Sequence, residues 1–241
     1  MGLFLWDSQP SKIFVGDTPI SKCFLWDTQV RPSGWGWWQP WANTLAYYPL
    51  TSTTTIYEQS WKNKDLTNTW VTFWTYQWVD CAYLPWDEFL YNTSQYWLSW
   101  PFTVSLWAYY VWFTSMYAQN PRFYGDSNWN IGIRVVGSSR VIWYNPKGWS
   151  TTTRVTENSW ANYIVTYDGT NCKLYINSTN VDTTAKSWYT YTDRYLWIGK
   201  FYQSWTDYWK WWVSEFIMEN KARTAQEVSD YYDRTKANYW L

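Results

Sequence analysis

The sequence predicts an all-β protein built as a two-layered sandwich, with one short helix close to the C-terminal end. Short runs rich in Val, Ile, Thr, Tyr and Trp, which suit a pleated and half-buried surface, recur along most of the chain. Turn signals separate these runs about every 8–12 residues, the spacing expected of a sandwich or barrel. A helical pattern follows the last run. With 241 residues, the chain is long enough to enclose a large core.

The elements are clearest in the second half of the chain. Asp168 and Gly169 form a hairpin turn between two alternating runs. Further on, Thr224 and Glu227 form a capping box, and Val228 follows at helical spacing with two tyrosines. The predicted strands cover residues 45–50, 69–73, 79–84, 102–113, 130–136, 140–144, 151–155, 161–167, 172–177, 195–198 and 211–219.

The N-terminal segment differs from the rest of the chain. Its first 32 residues contain three copies of a decapeptide, which begin at Leu3, Ile13 and Cys23. Each copy has an apolar run, a turn and a polar exit, which predicts a short strand followed by a turn. Two interpretations are open: copies that stack and pair edge to edge, or a flexible leader. No basic region precedes the short apolar start, so we expect no signal peptide.

A linker separates this segment from the main body. The stretch PSGWGWWQP at 32–40 is rich in Gly, Pro and Trp and has no period. We therefore predict a decapeptide β-repeat leader and linker over residues 1–40, and a single β-sandwich domain over residues 41–241.

Several motifs occur in one order along the main body. A Trp opens the hairpin at 158–177, which turns at V-T-Y-D-G and returns as L-Y-I-N. The other motifs are PFTVSLW at 101–107, LWIG at 196–199, KWWVSEFI at 210–217 and the helix at 224–232. Together they resemble the laminin G-like domains of the concanavalin A-like lectin and glucanase superfamily. The resemblance implies a concanavalin A-like jelly-roll sandwich of two antiparallel sheets.

The chain has an excess of Trp and a deficit of Gly. It contains 26 Trp and 10 Gly, whereas an average chain of this length carries about 17 Gly. Position four of the decapeptide is Trp6, Gly16 and Trp26 in turn, although a tight turn there favours Gly. The Gly that begins the family's strand at 210–217 is also missing, and Ser214 stands where the family usually has Asp.

We hypothesise that many of these Trp positions are UGA codons that the source organism reads as glycine. The alternative is a chain that is truly rich in Trp, for stacking on sugars. The nucleotide sequence decides between them, since UGG codons at these positions would disprove the hypothesis. Trp70, Trp74 and Trp78 recur every four residues in a strand-like region. The hypothesis expects exposed turns at Trp6, Trp26, Trp86 and Trp149, whereas the family-matched Trp107 and Trp160 should be buried.

The composition excludes several functions. With 19 basic and 19 acidic side chains the net charge is zero, which argues against nucleic acid as a partner. The absence of His excludes Ser-His-Asp triads and His-ligated metals. Cys23, Cys81 and Cys172 are too scattered for a disulfide framework or a zinc motif. No apolar run reaches the roughly 20 residues of a membrane span, and no Gly-rich phosphate loop occurs.

Aromatic side chains are the candidate ligand-binding residues, because their rings offer apolar faces with polar edges. Alternation along the run at 102–113 places Trp107 and Tyr109 on one face. Arg134 and Tyr144 come from neighbouring predicted strands. We therefore predict a glycan-binding site that contains Trp107, Tyr109, Arg134 and Tyr144. Core packing of Trp107 is the alternative.

Calcium is the cofactor that the family resemblance raises, since laminin G-like domains often bind it at the rim of the sandwich. Asp80, Asp87, Asp168 and Asp207 are the candidate ligands. Calcium needs six to eight oxygen ligands, and no loop here has a dense cluster of acids. Solvated aspartates in turns are therefore the alternative.

Catalysis has little support. Glycoside hydrolysis needs two carboxylates about 5–9.5 Å apart. Hydrolases on this sandwich typically carry them in an E-x-D-x-x-E or similar pattern, which is missing here. Glu215 and Glu219 share strand parity, but Glu215 also fits a structural Glu of the family. We therefore predict that the protein is not an enzyme.

The predicted function is recognition: binding of a glycan or another surface ligand, in adhesion or in a phage tail or other virion appendage. We expect an extracellular, cell-surface or virion location, and other virion or surface subunits are candidate further partners. Two alternatives stay open. One is a glycoside hydrolase on the same sandwich, and the other is a structural module that packs against neighbouring subunits.

Overall fold

The computed structural model describes residues 13–15, 18–20, 23–25, 28–30, 43–50, 66–69, 71–84, 88–96, 101–111, 122–126, 132–136, 141–145, 149–186, 194–199 and 211–241. Backbone contacts divide the chain into two compact units, Met1–Gln39 and Pro40–Leu241. Within the described residues, no helix is long and apolar enough to cross a membrane.

The described residues of the N-terminal unit form two small antiparallel strand pairs. Strand β1 (Ile13–Val15) pairs antiparallel with β2 (Thr18–Ile20), and β3 (Cys23–Leu25) pairs with β4 (Thr28–Val30). The second and third decapeptides therefore each contain two short strands that pair antiparallel. The predicted strand of each of these two copies thus gains a second strand, because the segment that follows it is extended as well. The first decapeptide lies outside the described residues.

The described part of the second unit contains all eleven predicted strands, but the one predicted at 69–73 is two strands, Thr67–Thr69 and Thr72–Tyr76. Three further strands were not predicted. The strands missed by sequence are β9 (Phe89–Tyr96), β11 (Arg122–Asp126) and β17 (Thr179–Ala185), whose Asn, Ser, Thr and Asp residues interrupt the apolar pattern. The elements are β5 Thr44–Pro49, β6 Thr67–Thr69, β7 Thr72–Tyr76, β8 Val79–Leu84, β9 Phe89–Tyr96, β10 Phe102–Tyr110, β11 Arg122–Asp126, β12 Gly132–Val136, β13 Val141–Asn145, β14 Trp149–Arg154, β15 Trp160–Tyr167, β16 Asn171–Ile176, β17 Thr179–Ala185, β18 Arg194–Ile198, β19 Trp211–Glu219, α1 Ala225–Thr235 and a 3₁₀ turn Lys236–Tyr239.

These strands form two antiparallel sheets, which confirms the predicted fold class. The eight-stranded sheet has the order β17-β16-β15-β10-β19-β8-β7, with β5 paired to β19 beside β8. The seven-stranded sheet has the order β14-β13-β12-β11-β18-β9-β6. Hairpins join sequence neighbours in β15-β16-β17 and in β11-β12-β13-β14, whereas β10, β18 and β19 pair with strands from distant parts of the chain. The two sheets therefore form only when the whole unit folds.

Side chains from both sheets meet in one buried core. Phe102, Val104 and Leu106 of β10 enter it from the eight-stranded sheet, and Ile133 and Val135 of β12 enter it from the other. Burial of each such side chain stabilises the fold by about 1.5–3 kcal/mol. Because neighbouring residues on a strand face opposite sides, the residues between them lie on the outer faces of the sandwich.

The helix α1 begins at the capping box expected from sequence. The Thr224 hydroxyl accepts a hydrogen bond from the Glu227 backbone at 3.2 Å, and the Glu227 carboxylate accepts one from the Thr224 backbone at 2.9 Å. Val228 and Tyr231 are buried at one side of the helix. The Tyr231 hydroxyl bonds to Glu215 of β19 at 2.9 Å, so the helix lies on the outer face of the eight-stranded sheet.

Two exposed tryptophans occupy backbone conformations that favour glycine. Trp78 has φ 64° and follows Gln77 at φ 48° in the two-residue turn between β7 and β8. Two positive φ values define a type I′ hairpin turn, in which Gly is preferred at the second position. Trp240 has φ 60° directly after the 3₁₀ turn, where a left-handed Gly commonly ends a helix.

Other Trp positions give a mixed result for the codon hypothesis. Trp107 and Trp160 are buried, as expected from the family resemblance. Trp149 begins strand β14, so the expectation of a turn there is wrong. Trp6, Trp26, Trp70 and Trp86 lie outside the described residues. The codon hypothesis stays a prediction that the nucleotide sequence tests.

We predict that Trp78→Gly raises the free energy of unfolding by about 1 kcal/mol, because a side chain in the left-handed region costs roughly 1–2 kcal/mol. Trp74→Gly is the matched control, since Trp74 lies in β7 and packs against Tyr83 with ring centroids 5.3 Å apart. That change should lower the free energy of unfolding. Urea unfolding of both variants measures the free energy of unfolding, and a destabilised Trp78→Gly variant would contradict the prediction.

Candidate functional site

The predicted ligand residue Trp107 is fully buried on the outer face of the eight-stranded sheet. Its indole ring stacks on Tyr239, with centroids 3.8 Å apart and planes within 10°, and lies 5.8 Å from Tyr232. Both tyrosines belong to the C-terminal helical segment. The structure therefore supports the alternative interpretation, in which Trp107 holds this segment on the sheet and presents no ring face to a ligand.

A buried polar network surrounds this contact. The Ser214 and Tyr239 hydroxyls lie 2.9 Å apart, and the Arg223 guanidinium donates to the Glu219 carboxylate at 2.6 Å. Glu215 accepts its hydrogen bond from the helix. Burial raises the pKa of Glu215 to about 7, although the Tyr231 hydroxyl and the Arg223 charge act in the opposite direction. The network thus joins the helix to β19 through neutral and charged hydrogen bonds.

The same network removes the support for a hydrolytic pair. A carboxyl group with a pKa near 7 is typical of a general acid. Glu215 and Glu219, however, are only 4% and 2% exposed and are held by partners from the helical segment or just before it. A glycosidic bond must reach both carboxylates from a cleft. In the structure both groups instead stabilise the contact between helix and sheet.

Tyr109 lies in an aromatic cluster further along the same outer face. Its ring meets Trp160 and Trp212 edge-on at 5.8 and 5.6 Å, and its hydroxyl accepts a hydrogen bond from Gln77 at 3.1 Å. Trp212 stacks on Tyr76 at 3.9 Å. Burial, helped by the hydrogen bond with Tyr109, raises the pKa of Tyr76 to about 12, so its hydroxyl is neutral at physiological pH. Tyr109 itself is only 4% exposed.

Tyr144 lies in the core between the sheets. It is fully buried, and its hydroxyl donates to the Asp182 carboxylate at 2.7 Å. Burial raises the pKa of Tyr144 far above its usual range. The side chain therefore bridges the two sheets and does not face a ligand.

The outer face of the seven-stranded sheet carries three aromatic rings in mutual contact, Phe89, Tyr91 and Trp197. We call them the aromatic trio. Trp197 stacks on Tyr91 at 5.1 Å with the planes within 15°, and Phe89 lies 4.9 Å from Trp197. All three are partly exposed, whereas Leu90 and Leu196 beside them are buried in the core. The trio therefore projects away from the core, on the sheet that α1 does not cover.

Arg134 lies on this same outer face. Its neighbours Ile133 and Val135 are both in the core, so Arg134 points to the other side and is partly exposed. The structure thus separates the four predicted residues. Trp107 and Tyr109 lie on the eight-stranded sheet, Tyr144 lies between the sheets, and Arg134 lies on the seven-stranded sheet.

Sequence reasoning missed the aromatic trio because β9 was not predicted as a strand. The alternation of Phe89, Leu90 and Tyr91, followed by a polar run, is a strand signal that could have been found. For Trp197 the strand was predicted, but its partner across the sheet was not.

The described calcium candidates lie apart. Asp80 accepts a hydrogen bond from the Thr75 hydroxyl at 2.6 Å. Asp168 accepts backbone hydrogen bonds from Thr170 and Asn171 at 2.8 and 2.6 Å, and these outweigh the effect of partial burial and lower its pKa. Among the described residues, no three acidic or Cys side chains form a metal-binding group. Asp87 and Asp207 lie outside the described residues.

The comparisons with known proteins agree with this architecture. Residues 90–229 match the family model of the concanavalin A-like lectin/glucanases superfamily. No curated protein matches the chain significantly. Three solved structures are similar to this chain. A botulinum neurotoxin type C, whose cell entry depends on two ganglioside molecules, is 14% identical with a TM-score of 0.61, and the match covers 80% of this chain and 51% of that one. The binding domain of botulinum neurotoxin DC in complex with SialylT is 12% identical with a TM-score of 0.62 (80% and 52% covered), and the binding domain of Paraclostridial Mosquitocidal Protein 1 is 14% identical with a TM-score of 0.64 (79% and 52% covered).

These structures show a shared fold at low sequence identity. The chain spans about half the length of the solved structures that it matches. What they bind is therefore a property of those proteins and not of the shared fold alone.

We predict that Glu215→Gln removes a pH dependence of stability. The folded-state pKa of Glu215 is about 7, above its usual value of 4.5, so the folded chain keeps this proton while the unfolded chain loses it. The free energy of unfolding of the natural chain should therefore fall as the pH rises from about 4.5 to 7. Relative to that chain, the variant should gain about 1–3 kcal/mol between pH 4.5 and pH 8. Urea unfolding at several pH values measures this, and a difference that does not change with pH would contradict it.

Proposed function

Since this chain belongs to the concanavalin A-like lectin/glucanases superfamily, we propose that it is a non-catalytic recognition module that binds a glycan through the outer face of its seven-stranded sheet. The aromatic trio is the observation that carries this proposal. A sheet face in contact with water normally carries polar side chains. Three partly exposed rings in contact therefore form a local apolar surface that suits the apolar face of a sugar ring.

The arrangement of the two sheets supports this position. Trp107 on the eight-stranded sheet is covered by Tyr239 and Tyr232, so that part of its outer face is closed to a ligand. Trp197 and Tyr91 come from adjacent strands, and their register places the two residues directly opposite each other. Backbone pairing thus holds the rings side by side before a ligand arrives, which lowers the entropy cost of binding.

The similar structures provide further support. Two of them are described with ganglioside or SialylT as the bound partner. Because the present chain covers only about half of each, binding of a cell-surface glycan by this chain is a proposal that rests on its own aromatic trio.

We also propose that the protein has no hydrolytic activity, because Glu215 and Glu219 are closed off beneath the helical segment. The proposed setting is extracellular: a cell-surface adhesin or an appendage of a virion, such as a phage tail. In that setting the decapeptide leader at residues 1–40 would attach the sandwich at 41–241 to a larger assembly. The repeated hairpins support this, since an isolated two-stranded hairpin is only marginally stable and gains from a partner.

A glycan array, followed by titration of the best ligand, tests the proposal. Trp197→Ala should weaken binding about tenfold, which corresponds to about 1.4 kcal/mol and lies within the range for an aromatic contact. Trp74→Ala is the matched control, because Trp74 is 51% exposed but lies on the eight-stranded sheet. It should leave the dissociation constant unchanged.

Three outcomes would overturn parts of the proposal. Equal loss in both variants would remove the aromatic trio as the site. Hydrolysis of the bound glycan, abolished by Glu215→Gln, would show an enzyme. An array without any hit, together with self-association measured by light scattering, would favour a structural module.

A further inference from the structure

We infer that the glycan bound by this face is an uncharged sugar that stacks on Tyr91 from the side of β6, and that Thr67 and Thr69 bind its hydroxyl groups. The inference rests on the proposed function and extends it. Its starting point is the pairing of β6 with β9, in which Thr67 is directly opposite Tyr91 and Thr69 is directly opposite Phe89. Residues in directly opposite positions lie on the same face of a sheet, so both threonines flank the aromatic trio.

The ring of Tyr91 has one face that Trp197 covers and one face that is turned towards β6. In the sheet, β9 lies between β18 and β6. Trp197 comes from β18 and stacks on Tyr91 with the planes within 15°. The other face of the Tyr91 ring therefore points to the β6 side, where the register places Thr67. A sugar ring on that side would be the next layer of the same stack.

Strand β6 leaves room for such a layer. It is the last strand in the order of the seven-stranded sheet, and none of the described strands pairs with its outer edge. Thr67 is exposed, and its side chain ends one bond beyond Cβ, so it can cover only the base of the Tyr91 ring. Since Tyr91 is partly exposed, the rest of its ring can meet a ligand that approaches from the edge of the sheet.

The hydroxyls of both threonines are available to a ligand. Thr75, by contrast, uses its hydroxyl within the protein, in a hydrogen bond to the Asp80 carboxylate at 2.6 Å. Neither Thr67 nor Thr69 has such a hydrogen bond in the part of the chain that the structure describes. A hydroxyl donates one hydrogen bond and accepts two, which matches the hydroxyl groups of a sugar. The two threonines lie about 6.8 Å apart along the strand, so each can bind a different hydroxyl group.

Asn68 fixes the strand that carries these hydroxyls. Its side-chain amide donates to the Val71 carbonyl at 2.9 Å, and its side-chain oxygen accepts from the Val71 backbone N–H at 2.8 Å. Leu66 and Val71, on either side of β6, are both buried in the core. The threonines are therefore held in place before a ligand arrives, which lowers the entropy cost of binding.

The surroundings of Tyr91 favour an uncharged ligand. The described side chains that contact its ring or lie directly opposite it are uncharged: Thr67, Phe89 and Trp197. A carboxylate or phosphate that moved onto this surface would give up water without gaining an opposite charge. A sugar hydroxyl would exchange a hydrogen bond with water for one with threonine. Ring stacking thus supplies the attraction, and the threonines select which hydroxyl groups fit.

Deoxy sugars test this inference. The probes are the methyl glycosides of glucose, galactose and mannose, each beside its monodeoxy analogues, and lactose beside sialyllactose. For the glycoside that the natural chain binds best, removal of one hydroxyl should weaken binding about tenfold. Thr67→Val or Thr69→Val should weaken binding of the parent glycoside by a similar factor and should bind the parent and that analogue equally. Lactose should bind at least as tightly as sialyllactose.

Thr72→Val is the matched control, because Thr72 is an exposed threonine on β7 of the other sheet. This variant should keep both the affinity and the preference of the natural chain for the parent glycoside. Valine has almost the shape of threonine and suits a strand, so all three variants should keep the fold, and thermal unfolding checks this.

The outcomes separate this inference from the proposed function. If Trp197→Ala weakens binding while both threonine variants bind and discriminate like the natural chain, the proposed function holds and the threonine inference is wrong. If the threonine variants lose binding but Trp197→Ala does not, the proposed platform and the stacked position of the sugar are both wrong. Binding of sialyllactose about tenfold tighter than that of lactose would overturn the assignment to an uncharged sugar.

Discussion

The central strand pair β10–β19 is buried on both faces, and the rest of the molecule depends on how that burial is achieved. All nine residues of each strand are buried. One face meets the seven-stranded sheet in the core. The other lies beneath the C-terminal helical segment at Trp107 and Glu215, and beneath Tyr76 of the aromatic cluster at Tyr109 and Trp212. A sheet strand that faces water on neither side must be covered by two layers. The sandwich therefore needs its short helix as a third, partial layer.

The contact beneath the helix is half polar, which explains its hydrogen bonds. Glu215, Ser214 and Glu219 come from β19, and each is paired with a side chain from the helical segment or from the turn before it. A buried polar group without a partner costs several kcal/mol. These pairs therefore fix where the helix lies on the sheet, and the raised pKa of Glu215 is a consequence of the same burial.

The helical segment covers part of the outer face of one sheet, and the proposed binding face lies on the other. The aromatic trio and Arg134 lie on that second sheet, on strands whose intervening residues fill the core. Because the packed core fixes these strands, it also fixes the positions of the rings on their outer side. The turns follow a different constraint, because Trp78 and Trp240 adopt left-handed backbone that only Gly enters without cost. Neither residue belongs to the core, so a glycine at either position would leave the sandwich intact.

The sequence by itself determined the local elements and, through them, the fold. The alternation on β10 and β15, the turn at Asp168-Gly169 and the capping box at Thr224 each depend on neighbours within a few residues, so they could be read directly. The ordered motifs then specified the sandwich. The site could not be read in this way. Alternation puts Trp107 and Trp197 equally on an outer face, and only the tertiary structure decides which of them the helix covers. The pairing of Trp197 with Tyr91 is likewise a matter of register between distant segments, which packing of the whole core sets.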